Sequence, residues 1–174
     1  GGQHLATSLG HSLAPPVPSL FTFKIDDPRL TGLQGLSVPD VSVNIPGTAL
    51  SATGPLLITH WGLSGPGILK ISAWGARELA ALDYQFQLEI NWVPRNDVIP
   101  GMRPLRQTAG ARKVVTHIPF SSLPRRLWER LVSHAGIEPA TTWSRLSKIR
   151  LHALAGELTA SRFQVTGKSM NKEE

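Results

Sequence analysis

Residues Gly54–Val93 read GPLLITHWGLSGPGILKISAWGARELAALDYQFQLEINWV, and the spacing of their apolar residues changes twice. Leu56–Trp61 is a short apolar run that reads as a strand. From Gly65 to Leu82 the apolar positions Ile68, Ile71, Ala76, Leu79 and Leu82 recur at helical spacing. From Tyr84 to Val93 the period becomes two, with Phe86, Leu88, Ile90 and Trp92 on one face of a strand. Strand, helix and strand follow one another, and a polar, glycine-rich elbow, HWGLSGPG, joins the first two.

Outward from this stretch the same rules find more strands. FTFKI (Phe21–Ile25) and VSVNI (Val41–Ile45) alternate apolar with polar residues, and Pro46-Gly47 ends the second in a turn. RFQVT (Arg162–Thr166) is a last short strand. Gln3–Leu9 reads as the end of a helix closed by Gly10, and the prolines of APPVPS (Ala14–Ser19) force an extended path. A helical cluster fills about 97–158. Asn96 or Asp97 can cap its first helix, with Pro100 in the first turn and Pro104 marking a break. SSLPRRLWERLVSHAGI starts at a Ser cap and stops at Gly136. TTWSRLSKIRLHALAGEL turns Leu146, Ile149, Leu151 and Leu154 inward and its basic residues mostly outward. Strands precede helices, which makes the class α+β. The expected organisation is a mainly β part over 1–95 with one helix at 65–82, a helical part over 96–158, and a return strand within 159–174.

The chain has 174 residues, enough for one substantial core, with 41% hydrophobic and 17% charged residues. It has no cysteine, which removes disulfides, thiolate metal sites and a cysteine nucleophile, and suits a reducing, cytoplasmic setting. No run approaches the roughly 18 apolar residues of a membrane helix. The opening GGQHLATSLGHSL lacks a methionine, as a segment excised from a longer polypeptide would. The net charge of +6 is uneven: residues 1–100 balance to −2 and residues 101–174 to +8. Such clustering attracts nucleic acid or acidic membranes, and a solvated helical face accounts for it as well.

The elbow admits two readings. Ser64 sits where a helix N-cap belongs, Pro66 falls in the first turn, and the free N–H groups of residues 65–67 can hold an anion or carbonyl oxygen. Gly62 and Gly65 would then let the backbone approach a ligand. The alternative is a plain helix start. His60, at the strand end beside Trp61, is either a ligand contact or a hydrogen-bonded structural histidine. GLSGP departs from the Gly-x-Ser-x-Gly nucleophile elbow at Pro66, so a hydrolase using Ser64 with Asp83 and His117, His134 or His152 is a weak third option. The six histidines have no metal-ligand spacing, and no metal is expected. Neither a phosphate loop nor a strand–GxGxxG–helix is present. The aromatic residues lie mainly in the acidic half, apart from the basic residues, which disfavours a base-stacking platform.

Four blocks carry a family resemblance: SLGHSLAPPVPSL (Ser8–Leu20), GPLLITHWGLSGPGILKISAWGARELA (Gly54–Ala80), LPRRLWERLVSHAGI (Leu123–Ile137) and FQVTGKSMNKEE (Phe163–Glu174). In this order they resemble the insert domain of the BaiN/YhiN-like NAD(P)/FAD-dependent flavoproteins. The resemblance implies a β-barrel-like part plus a helical part, inserted into a Rossmann-type FAD domain. It implies FAD, with NAD(P)H as a further cofactor, in the full-length parent; the glycine-rich FAD segments would lie outside this chain, so the segment alone is not expected to bind flavin or be active. The implied role is to cover the flavin and shape the substrate pocket, with the parent's own FAD-binding domain as partner and neither membrane nor nucleic acid expected. Thr59, His60, Gly62, Ser64 and Gly65 would line that cleft, and Gly10, His11 and Ser19 would lie near the domain junction. The competing reading is a basic binding module whose C-terminal helices engage nucleic acid or a protein.

Overall fold

A computed structural model describes residues 1–94 and 97–170. Asn96, one of the two capping candidates, and the end of the expected return segment, 171–174, lie outside the described residues. The order is α1 (Gly2–Ser8), β1 (Thr22–Lys24), β2 (Ser37–Asn44), β3 (Ser51–Ile58), β4 (Gly62–Ser64), α2 (Pro66–Trp74), α3 (Ala76–Ala81) and β5 (Phe86–Asn91). Then come α4 (Val98–Met102), α5 (Leu105–Thr108), α6 (Arg125–His134), α7 (Lys148–Thr159), β6 (Ser161–Val165) and β7 (Gly167–Ser169). Single 3-10 turns lie at Val114–Thr116 and Trp143–Arg145. The fold is α+β, as the order of patterns predicts.

The strands form one seven-stranded sheet in the order β6-β5-β2-β3-β4-β1-β7, and every pairing is antiparallel. Its two edge strands are consecutive in the chain. Ser161–Ser169 pairs first with β5, at Phe86↔Val165, and then with β1, at Phe23↔Lys168. The sheet therefore curls round on itself like a barrel, without a ladder between β6 and β7. The Phe23 and Phe86 rings meet edge-on at 5.1 Å inside the curl. The β2–β3 register shifts between Val38 and Val41, opposite Pro55. Neither Pro39 nor Pro55 can donate to the ladder, so the strands open where pairing would fail.

Three boundaries differ from the periodicity reading. The apolar run Leu56–Trp61 is not one strand. Thr59 Oγ1 accepts from the N–H groups of Trp61 and Gly62, each at 3.2 Å, and its own N–H donates to the Gly62 carbonyl. This closes a hairpin, so the chain re-enters the sheet as β4 before turning into a helix. The single helix expected over 65–82 is divided at Gly75, where a Cβ would meet Leu50 Cδ1 at 2.4 Å. Ile149 is 79% exposed, not inward. The Ser147 side chain caps α7 by accepting from the Arg150 N–H, which sets the helical phase so that Leu151, Leu154, Ala155 and Leu158 form the buried stripe.

Elsewhere local chemistry and structure agree, except at the start of α6. Phe86, Leu88, Ile90 and Trp92 are buried together. Asp97 precedes α4, Met102 is fully buried at its end, and Pro104 starts the next helix. Helix α6 starts after Pro124 instead of at a Ser cap. It ends in a Schellman turn, with the Gly136 N–H on the Ser133 carbonyl, the Ile137 N–H on the Val132 carbonyl, and Gly136 at φ +71°. One apolar core runs through the sheet and the helices, anchored by Trp92, Trp128 and Trp143. Trp92 Nε1 donates to Ser161 Oγ and Trp128 Nε1 to the Val114 carbonyl, which places two of these rings in fixed orientations.

Candidate functional site

The elbow residues divide into groups. Thr59, His60 and Gly62 line a small depression of about 90 Å³ with Asp26, Thr31 and Gln34. Ser64 and Gly65 lie at the end of β4 and the start of α2, where Gly65 rather than Ser64 is the N-cap residue. Gly10, His11 and Ser19 are exposed on the N-terminal segment. No hydrogen bond among the described residues joins Ser64 to Asp83 or to a histidine.

What the elbow glycines approach is the chain itself. A Cβ at Gly62 would fall 2.3 Å from the Phe23 carbonyl oxygen and 2.6 Å from the Ile25 nitrogen. At Gly65, φ +95°, it would fall 2.8 Å from the Pro55 carbonyl oxygen. Their missing side chains are thus accounted for by the packing of β1 and β3. Thr59, 6% exposed, spends its hydroxyl on the hairpin. The elbow leaves no glycine-lined cradle for a pyrophosphate, and its residues do not fit the phosphates of FAD. His60 and Trp61 are the exposed side chains here, with the Lys24 ammonium 5.6 Å from the Trp61 ring.

Beside this depression lies a polar cluster that periodicity does not reveal. The Arg29 side chain is 6% exposed and forks onto Asp27, with Nε to Oδ1 at 2.9 Å and Nη2 to Oδ2 at 2.8 Å. Its Nη1 donates to Glu157 Oε2 of α7 at 3.0 Å, Nη2 also reaches the Arg162 carbonyl of β6, and the guanidinium lies 3.8 Å over the Phe163 ring. Glu157 Oε1 in turn lies 3.0 Å from His134 Nδ1 on α6. One arginine thereby ties the loop after β1 to the helical half. Burial alone would push the Asp27 carboxyl up, but the Arg29 hydrogen bonds and charge outweigh it and hold it below its ordinary value. The same carboxylates hold the Arg29 guanidinium above its ordinary value, against the effect of burial. The sequence signal was weak: a D-x-R pair after a strand reads as surface charge until its third partner arrives from α7.

A second polar region lies on the helical half. Arg103 and Arg106, around the α4–α5 break, face Lys148 and His152 across a cleft of about 390 Å³ over Leu151. Lys148 and His152 stand four residues apart on α7 and so share a face. Near it, burial chiefly, and then the Arg112 charge, hold His117 below its ordinary value. His117 Nδ1 and Trp143 Nε1 are buried without a hydrogen-bond partner among the described residues, their rings edge-to-face at 6.1 Å.

Comparison with known proteins matches residues 17–174 to the family model described as the HI0933-like protein barrel and H2TH domain. A ribosomal RNA dihydrouridine synthase of Haemophilus influenzae is 31% identical over 156 residues, which are 88% of this chain and 36% of that protein. A ribosomal RNA dihydrouridine synthase of Escherichia coli is 31% identical over 170 residues, 95% of this chain and 40% of that protein. The chain thus spans about two fifths of the length of the curated relatives it matches.

Proposed function

The chain belongs to the HI0933-like barrel and H2TH family, and on that premise we propose that it is the insert domain of an FAD-dependent oxidoreductase that reduces uridine in ribosomal RNA. In this reading the domain holds the RNA and covers the flavin of its parent. The carrying observation is the match itself: nearly the whole chain aligns with two proteins named for this activity while spanning only part of each. FAD, and NAD(P)H as electron source, belong to the rest of the parent, a reading supported by the elbow's lack of room for a pyrophosphate; the cofactor would supply the hydride for the uracil ring. The domain alone is then catalytically silent.

Of the elbow residues, His60 and Ser64 are the ones whose side chains remain uncommitted to the hairpin or the glycine contacts, and they are the proposed contributors to the flavin-facing cleft. Gly65→Val does not test that role, because the new side chain collides with β3. His60→Ala and Ser64→Ala in the parent do. RNA as partner replaces the expectation drawn from the separation of aromatic and basic residues. Backbone binding needs cations and no aromatic platform.

The test is to express this chain and the reading frame extended on both sides, record flavin absorbance, and assay dihydrouridine in ribosomal RNA by mass spectrometry. A colourless domain with a yellow, active parent is the expected result. Stoichiometric flavin on the domain alone, or a flavin-loaded parent that leaves every ribosomal uridine unreduced, would overturn the reading.

A further inference from the structure

Among the described residues, the arginines and lysines fall into two groups by what their charged ends touch. Arg29 holds Asp27 and Glu157, Arg125 pairs with Glu129, and Arg162 pairs with Glu89. Arg126 and Arg130 donate to the carbonyls of Gly32 and Thr31, and Arg150 caps the end of α6 at the Ala135 carbonyl. Lys24 and Lys168 lie over aromatic rings. Each of these has a task in the fold. Arg103, Arg106 and Lys148 have none, as is true of Lys70 and Arg77 on α2 and α3, but these three converge on one cleft with His152, where no carboxylate, carbonyl or ring of the described residues meets their charged ends.

Two features make this more than a solvated face. First, Lys148 opens α7, where the helix dipole disfavours a cation, and the first turn of α7 contains no acidic residue. Stability alone would place an aspartate or glutamate there. Second, more cations lie close by, because α5 is in contact with the Trp143–Arg145 turn. The turn bearing Arg112 and Lys113 is hydrogen-bonded to the segment bearing Arg145, through the Trp143 N–H on the Arg112 carbonyl and the Ser144 N–H on the Gly110 carbonyl, at 3.0 and 3.1 Å. Arg112, Lys113 and Arg145 likewise have no acceptor among the described residues. Leu151 also lines the cleft, where the His152 imidazole is the one ring and no Phe, Tyr or Trp is present. Three cations and a single imidazole suit a polyanionic backbone better than a run of stacked bases.

We propose that the cleft between α4–α5 and α7 seats the sugar–phosphate backbone of the RNA, with Arg103, Arg106 and Lys148 on its phosphates and His152 at the margin. The proposal rests on the RNA reading above and assigns that function to a place. Recognition here is by charge and spacing, so it is insensitive to base sequence and steeply dependent on salt.

The test uses this chain and a fluorescein-labelled hairpin of ribosomal RNA sequence, with anisotropy titrations over a range of salt. The variants are the triple Arg103→Gln/Arg106→Gln/Lys148→Gln and, as a control, Lys70→Gln/Arg77→Gln, which removes two exposed cations on α2 and α3. The cleft variant should lose about 2 to 3 from the slope of log K against log salt, one for each phosphate contact removed, and the control should match the parent chain. Circular dichroism melts, expected to be unchanged, confirm that both variants fold. If the unaltered chain binds the hairpin and the cleft variant binds it equally well, the cleft assignment fails while the RNA reading stands. If the unaltered chain does not bind at low salt, both fail. If polyglutamate displaces the hairpin at equal charge, the cleft serves an acidic polypeptide and the proposal is overturned.

Discussion

The elbow at residues 59–65 and the cleft between α4–α5 and α7 both concentrate residues that a sequence reader associates with function. The fold uses them in opposite ways. At the elbow, Thr59 closes a hairpin, and Gly62 and Gly65 make room for the backbones of β1 and β3. At the cleft, three cations and a histidine meet across a gap with no internal partner among the described residues. A glycine-rich turn is therefore not by itself a ligand cradle; what occupies the space of its missing Cβ decides. A cation is not by itself a binding residue either, and Arg29, spent on two carboxylates and a ring, is the counterexample within this chain.

The comparison breaks most visibly at Gly62. Gly62→Val places a side chain on the Phe23 carbonyl, at a backbone angle of φ +144° that β-branched residues avoid. The expected cost exceeds about 4 kcal/mol, and circular dichroism should show loss of the cooperative melt. A valine variant melting near the parent would mean that the elbow is looser than described. Arg29→Met comes next. It leaves two carboxylates facing each other at the junction of loop and helix, at an expected cost of about 3 kcal/mol, or about 6 to 12 °C in Tm for a chain of this size. Combining it with Glu157→Gln should cost less than the sum of the two single changes, because they share one interaction.

Acid gives a gentler version of the same experiment. Since Arg29 holds the Asp27 carboxyl below its ordinary 3.8, its stabilisation is fully present above that value and is lost as pH falls through the lowered one. The acid limb of a stability–pH curve should therefore flatten in Asp27→Asn, while the limb above neutrality is unchanged. An unaltered acid limb would mean that the Arg29–Asp27 pair does not persist in solution. Smallest in stability is the cleft triple variant, expected within about 0.5 kcal/mol of the parent chain in urea unfolding. A large loss would show that those cations have a structural task after all.

Much of the architecture was legible because burial leaves a period. Phe86, Leu88, Ile90 and Trp92 alternate because one face of β5 is buried, and the Schellman turn at Gly136 follows from a residue that tolerates φ +71°. Periodicity alone misplaces Ile149 because the helix starts only at Lys148, after the Ser147 cap, and its buried stripe is counted from there. The hairpin at Thr59 was hidden because a threonine side chain overrode an apolar run. The candidate site was less legible still. The elbow stood out by its glycines, whose reason lies in strands distant along the chain, and the cleft could not be seen because its two walls come from different helices. Only the α7 wall, with Lys148 and His152 four residues apart, left a spacing to find.

The measurement that tests the contrast most directly is a titration of the isotopically labelled chain with the ribosomal hairpin, followed by amide chemical shifts. The account predicts that the largest changes fall around residues 103–106 and 148–152, while amides of residues 59–65 stay in place. Large changes at 59–65 with a silent cleft would contradict it.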